Sequence, residues 1–245
     1  MEKWMDLAIE AARLAGEAIM EVYAQPFEVY TKEDESPVTQ ADLRASNLIK
    51  ELLEPTGLPF VSEEDLPPDR SGFGCYWLVD PLDGTAEFVN RNGEFTVNIA
   101  LIENKRPVLG VIYAPVTGQL WWNDERRQVR HCEEERPFTV LVSRSHRTPE
   151  VDAYIDNVLR PVHPDLVIDS QGSSLKFARL VDGTADVYVC YSKTKEWDTA
   201  AADAILTAAG GRVLKISDGQ PLEYDKKDYP NPPFVAYAPA STPKE

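Results

Sequence analysis

The chain has 245 residues, 43% of them apolar, which suits one large core or two closely joined halves and excludes a disordered polymer. Its 25 Lys and Arg against 41 Asp and Glu leave a formal charge of −16, which opposes binding to a nucleic-acid backbone or an anionic lipid surface. No basic region followed by an apolar stretch opens the chain, and no apolar run approaches the roughly 18 residues of a membrane span, so neither a secretory leader nor integral membrane association is expected.

Residues 3–24 read as an amphipathic helix, with Leu7, Ala8, Ala11, Leu14, Ala15, Ala18, Ile19 and Val22 at spacings of three and four. Pro26 ends it, and a charged loop runs through Thr31-Lys32-Glu33-Asp34-Glu35-Ser36-Pro37. A second helix is expected over 39–53, closed by Pro55 and Gly57. The period then drops to two. Strands are expected at 60–62, 76–79, 95–101 and 108–113, the last two joined as a hairpin, and 120–122 and 129–131 extend the meander. From residue 138 strands and helices alternate: strands at 139–143, 166–168, 185–191, 212–216 and 234–237, helices at 149–159, 173–181 and 199–209. Gly210-Gly211 caps the last helix. The join at Glu133-Glu134-Glu135-Arg136-Pro137 is charged but short, so the halves 1–137 and 138–245 are expected to pack as one body.

Cys75, Cys132 and Cys190 are odd in number and widely spaced, which fits neither a disulfide framework nor a metal site and reads as small core residues of a cytoplasmic protein. His131, His146 and His163 lack metal-ligand spacing and read as structural or surface residues.

The informative segment is Asp80-Pro81-Leu82-Asp83-Gly84-Thr85, just past the predicted strand 76–79. Two carboxylates three residues apart at a strand end can converge on one point. Pro81 stiffens the turn, and Gly84 lets the backbone approach a ligand. Thr85 offers a hydroxyl and a backbone N–H where a helical turn begins, a feature that suits phosphate. The carboxylates repel phosphate, and divalent cations between the two resolve the conflict. Mg²⁺ takes oxygen ligands, commonly one or two carboxylates plus substrate phosphate. Two such ions roughly 3.5–4 Å apart can clamp both oxygens of an in-line phosphoryl displacement. Glu63-Glu64-Asp65 and Glu196-Trp197-Asp198 supply further acids. Each fragment alone reads as a solvated turn or a surface charge run. An EF-hand fails because Leu82 and Arg91 occupy ligand positions, and no P-loop, dinucleotide fingerprint, H-E-x-x-H or G-x-S-x-G is present.

Together, Glu63-Glu64, Asp80–Thr85 and Trp197-Asp198-Thr199-Ala200-Ala201 resemble the E-E, D-P-[IL]-D-G-T and W-D-x-A-[AG] motifs of the inositol monophosphatase superfamily of Mg²⁺-dependent, often lithium-sensitive phosphatases. The element order is similar over essentially the whole chain. Finer segments are similar to the 3′(2′),5′-bisphosphate nucleotidase branch: Trp77–Thr85, Glu87-Phe88, Gly93–Leu101, Ser143-Arg144-Ser145-His146 and Gly172–Phe177. The resemblance implies an α+β to α/β fold, a layered αβαβα sandwich. In it an antiparallel half (1–137) carries most metal ligands, and an α/β half (138–245) carries substrate contacts and the last metal aspartate. It implies two or three Mg²⁺ ions, with Glu63, Asp80 and the Leu82 carbonyl at one and Asp80, Asp83 and Asp198 at another. Asp42, bonded to Thr85, would share the catalytic role with it. Gly84 and Thr85 would cradle the scissile phosphate, with Glu63, Leu82, Asp83 and Asp198 around it. Gly172, Ser173, Ser174 and Lys176 would contact the rest of the substrate.

The expected reaction is metal-assisted hydrolysis of a small phosphate ester, removing the 3′-phosphate of 3′-phosphoadenosine 5′-phosphate or a related nucleotide, without a covalent phosphoenzyme. The alternatives are an inositol or sugar monophosphatase and, more remotely, a non-catalytic metal-dependent binder. Two departures from the branch bear on substrate preference: Ala86 stands where lysine is usual, and Val189-Cys190 replaces a Pro-Arg pair. Lys193 and Lys195 are the candidate replacements for that arginine, and a homodimer is one open assembly.

Overall fold

The computed structural model describes residues 1–32, 37–70, 72–123 and 136–239; the expected strand 129–131, His131, Cys132 and Glu133–Glu135 lie outside the described residues. Helix α1 (Glu2–Tyr23) buries Ala8, Ala11, Ala12, Ala15 and Ile19 along one face, the stripe that the sequence spacing requires. Small residues on that stripe let α2 (Gln40–Leu53) pack closely against it. Helix α2 starts at a reciprocal cap: the Ala41 N–H donates to Thr39 Oγ1 (3.1 Å) and the Thr39 N–H donates to Asp42 Oδ2 (2.8 Å). Between the helices, β1 (Val29–Thr31) pairs antiparallel with β2 (Pro37–Thr39), where the sequence reads only as a charged loop. These strands have three residues each and β1 is exposed throughout, so no apolar alternation marks them.

The first five-stranded sheet has the order β3 (Phe60–Ser62), β4 (Cys75–Asp83), β5 (Thr96–Glu103), β6 (Arg106–Ala114), β7 (Gln119–Trp122). It is mixed rather than purely antiparallel, because β3 runs parallel to β4. Alternation along the strands serves two cores. Trp77, Val79, Ile99, Leu101 and Val111 pack with α1 and α2, while Tyr76, Leu78, Ala100, Ile102 and Ile112 face the other way, into the centre of the molecule. Covered on both faces, the strands read as continuous apolar runs.

The second sheet has the order β11 (Arg212–Lys215), β12 (Phe234–Tyr237), β10 (Val187–Cys190), β8 (Thr139–Ser143), β9 (Val167–Gln171). Its β8, β9 and β10 are parallel, and β12 inserts antiparallel between β10 and β11. Helices α5 (Leu175–Val181) and α6 (Glu196–Ala208) fill the space between the sheets, α6 touching β4, β5, β6 and β11. On the outer face of the second sheet, Val140, Val142, Val187 and Val189 pack with Val151 of α4 (Pro149–Tyr154) and with Ile155 and Leu159 of the wider turn after it. The layers therefore run α1/α2, sheet, α5/α6, sheet, α4. Gly110 permits the closest inter-layer approach: a Cβ there would lie 2.2 Å from the Ala201 carbonyl oxygen of α6.

Cys190 is buried and Cys75 is half-buried against the α1/α2 core, consistent with packing roles. His163 stacks on Phe138 with ring centroids 3.6 Å apart.

Candidate active site

The Asp80–Asp83 segment lies inside β4, not beyond its end. Pro81 suggests a strand stop because it cannot donate to the ladder. The strand absorbs it through a shift in its register with β5 between Asp80 and Asp83. Gly84 then takes φ +89°, and a Cβ there would meet the Glu94 carbonyl oxygen at 3.0 Å and Ser173 Cβ at 3.2 Å. That left-handed turn leads into the short helix α3 (Thr85–Val89).

Three acids far apart in the chain converge here. Glu63 follows β3, Asp80 lies in β4, and Asp198 sits in the first turn of α6; one oxygen of each falls within 4.8 Å of the others. Asp83 stands outside that tight set but lines the same cavity of about 420 Å³. The fold fixes each acid through one oxygen. Asp80 Oδ1 accepts from the Leu82 N–H (3.1 Å). Asp83 Oδ2 accepts from Ser174 Oγ (2.7 Å) and Asn98 Nδ2 (3.1 Å). Asp198 Oδ2 accepts from the Lys195 N–H (2.8 Å), as an N-terminal helix cap.

Burial, then repulsion from Glu63, Asp83 and Asp198, pushes the Asp80 carboxyl well above its usual range. Burial, then Asp83 and Glu63, does the same to Asp198. Asp83 is raised by burial but relieved by Lys176 and by its two hydrogen bonds. Glu63 is raised by burial and relieved by Lys32, whose ammonium lies 2.7 Å from Glu63 Oε1 and 2.5 Å from Glu64 Oε1. Like charges held together out of water are unfavourable unless a cation joins them. An all-oxygen donor set with neither His nor Cys suits a hard divalent ion.

Behind the cluster, Thr85 Oγ1 donates to Asp42 Oδ1 (3.0 Å) and lies 3.2 Å from the Leu82 carbonyl oxygen. Asp42 is 2% exposed, and its other oxygen accepts from both the Thr39 N–H and the Thr39 hydroxyl (2.8 Å each). The same cavity is lined by Lys176, Lys193 and His146. The Lys176 ammonium donates to the Ser173 (2.6 Å) and Gln171 (3.3 Å) carbonyls above the Tyr188 ring.

Glu63, Asp80, Leu82, Asp83, Gly84, Thr85, Ser173, Ser174, Lys176 and Asp198 all line one cavity. Gly172 does not. Its N–H donates to Glu94 Oε2 (2.7 Å), and a Cβ would strike Glu87 Cγ at 2.7 Å, so it serves packing beneath the wall. His146 is exposed, as a surface residue, and the loop after β8 brings it to the rim of the cavity. Lys32 and Asn98 escaped the sequence reading. Asn98, polar within the apolar run of β5, carried a visible signal; Lys32, one charge among many, carried none. Val189 points into the outer core and Cys190 lies against Ser192 (Sγ to Oγ 3.3 Å), so among the described residues no arginine lines the cavity.

A profile of the inositol monophosphatase family matches residues 1–244. The chain belongs to the inositol monophosphatase family. It is 42% identical to the 3′(2′),5′-bisphosphate nucleotidase CysQ of Escherichia coli K12, over 94% of this chain and 98% of that protein. Among solved structures, CysQ from Bacteroides thetaiotaomicron superposes with a TM-score of 0.88 at 38% identity, covering 98% of each chain. The extragenic suppressor protein suhB from Bartonella henselae superposes at 0.78 with 25% identity, over 96% of this chain and 93% of that one. The layered sandwich is the fold of this family, and no helix among the described residues is long and apolar enough to cross a membrane.

Proposed function

We propose that the chain is a Mg²⁺-dependent phosphomonoesterase that removes the 3′-phosphate from 3′-phosphoadenosine 5′-phosphate or a closely related bisphosphate nucleotide. One observation carries the reading: Glu63, Asp80 and Asp198 converge beside Asp83 and the Asp42–Thr85 pair, in a cavity that Lys176 and Lys193 also line. The similarity to CysQ proteins over nearly the full chain supports the choice of substrate.

Glu63, Asp80, Asp83, Asp198 and the Leu82 carbonyl would hold the ions. Bound divalent cations supply Lewis-acid charge against the phosphoryl group and its leaving oxygen. The remaining work falls to the protein. Thr85 Oγ1 donates its hydrogen bond to Asp42, which leaves its lone pairs to accept a hydrogen bond from an attacking water and aim it. Burial pushes the Asp42 carboxyl above its ordinary range, and three donors from Thr39 and Thr85 oppose that shift and fix its orientation. Ser174 and Asn98 hold Asp83 in one rotamer, so the acids are arranged before the substrate arrives. Lys193 offers positive charge for the second phosphate, and His146 a ring N–H, while Lys176 is tied to two carbonyls.

A second reading, an inositol or sugar monophosphatase, draws on the lack of a guanidinium among the described residues that line the cavity. Phosphate release from 3′-phosphoadenosine 5′-phosphate, inositol 1-phosphate and fructose 1,6-bisphosphate, with and without Mg²⁺, separates them. A kcat/KM advantage of about a hundredfold for the nucleotide is expected. A comparable advantage for a monophosphate selects the second reading, and release that ignores Mg²⁺ refutes both.

A further inference from the structure

Away from the cavity, one buried ion pair joins the two parts of the chain that supply the acids. Arg70, in the loop between β3 and β4, is 6% exposed; Glu196, the first residue of α6, is fully buried. Arg70 Nη1 donates to Glu196 Oε2 (2.6 Å) and to the Tyr76 hydroxyl (3.1 Å), and Nη2 donates to the Lys226 carbonyl. The guanidinium lies 4.1 Å from the Tyr229 ring centroid. Glu196 Oε1 accepts from the Lys226 N–H (2.7 Å) and pairs with the Lys226 ammonium (3.0 Å). The Glu196 N–H in turn donates to the Tyr229 carbonyl (3.0 Å).

The attachments matter because of what each element carries. Arg70 follows Glu63 within the same loop, Tyr76 precedes Asp80 on β4, and Glu196 precedes Asp198 by two residues, about 3 Å of helix rise. One guanidinium therefore bridges all three elements that bring Glu63, Asp80 and Asp198 together. A buried ion pair is a weak source of stability, since well-packed apolar residues serve as well or better. What apolar residues cannot do is fix the helix start in one direction through several hydrogen bonds at once.

We propose that Arg70 and Glu196 are positioning residues that set the distance of Asp198 from Glu63 and Asp80, and so tune divalent-ion affinity without touching ion or substrate. The inference rests on the function proposed above. The decisive variant is R70M/E196L, which removes both charges together and leaves neither one buried alone. Its unfolding midpoint and that of the wild type are measured across a Mg²⁺ titration, and phosphate release is measured alongside. The double variant is expected to fold, and to need at least about tenfold more Mg²⁺ for half its thermal shift and half its activity, the range for residues that orient metal ligands. KM for substrate at saturating Mg²⁺ stays within about twofold, because no substrate contact is lost.

R70K and E196Q keep the volume and some hydrogen bonds, and shift the Mg²⁺ midpoint in the same direction by less. R136M, which breaks the remote Arg136–Asp186 pair (2.5 Å), lowers thermal stability without moving the Mg²⁺ midpoint. A folded R70M/E196L with a wild-type Mg²⁺ midpoint overturns the proposal. Should that protein not fold, wild-type midpoints in R70K and E196Q overturn it equally. A wild-type protein with no Mg²⁺ response at all would refute the function proposed above, an outcome separate from failure of the brace.

Discussion

Asp198→Asn tests the physics of the site most directly, because it removes a charge and little else. Asparagine can still accept the Lys195 N–H, so the start of α6 keeps its cap. The oxygens of Glu63, Asp80 and Asp198 lie within 4.8 Å of one another, and at that separation and an effective dielectric near 20, two unit charges repel by about 3.5 kcal/mol. Asp198 faces two such neighbours, with Asp83 in addition, so full ionisation would make the repulsion it contributes at least about 7 kcal/mol. Protonation shared among buried acids and the Lys32 ammonium reduce this, and a gain of about 1–3 kcal/mol without divalent ions is expected. For a chain of this size that raises Tm by roughly 2–12 °C in chelator. In Mg²⁺ the order reverses: the wild type gains RT ln(1 + [Mg²⁺]/Kd), about 2.7 kcal/mol at a hundred times Kd, and the variant gains little. kcat/KM falls by at least about a hundredfold. Scanning calorimetry in chelator and in Mg²⁺ provides the assay. If Asp198→Asn lowers Tm in chelator and keeps the wild-type Mg²⁺ shift, the acids do not form a shared, repulsive ion site.

The raised carboxyls also fix a pH dependence. Asp80 and Asp198 titrate higher folded than unfolded, so the stability they allow is complete below the ordinary carboxylate range and is lost as pH rises through their folded values. In chelator, Tm therefore falls from mildly acidic toward neutral pH, and a Tm that rises over that window contradicts the assignment. Thr85→Val removes the donor to Asp42 and leaves a buried carboxylate short of a partner, costing about 1–3 kcal/mol; kcat drops by about a hundredfold at unchanged KM, and Thr85→Ser recovers most of it. Gly84→Ala must hold alanine at φ +89° against the Glu94 carbonyl and Ser173, destabilising by roughly 1–3 kcal/mol in calorimetry. Lys193→Gln raises KM for a bisphosphate nucleotide by roughly tenfold while leaving a monophosphate within about twofold, and equal changes for both would remove Lys193 from substrate choice.

What was legible in the sequence followed from burial. Tyr76–Val79 alternates between two cores and reads plainly as strand, as does the face of α1. The β1–β2 pair did not, because each strand has three residues and β1 is exposed throughout, too little for an apolar alternation to show. The motif acids were readable as candidates through their spacing and the family resemblance. Their supports were not, because each joins segments distant in the chain: Ser174 to Asp83 across 91 residues, Arg70 to Glu196 across 126. Arg70 sits in Leu66-Pro67-Pro68-Asp69-Arg70, a segment between strands with no periodicity to mark a buried side chain. Only the closing of α6 onto the first sheet turns it inward.

The same closing explains how a chain of net charge −16 can face a phosphate at all. Charge spread over a surface is screened within about 10 Å by salt, whereas charge gathered in a buried pocket is not. The fold places its acids within β4, just after β3 and at a helix start, where backbone N–H groups and Ser174 hold them by hydrogen bonds. The repulsion left over is what a divalent ion relieves on binding, so ion affinity grows with the rigidity that keeps the acids from moving apart. A looser scaffold would relax the repulsion and weaken the ion site together, which is why Asp198 should become a weaker ligand whenever the start of α6 is free to drift.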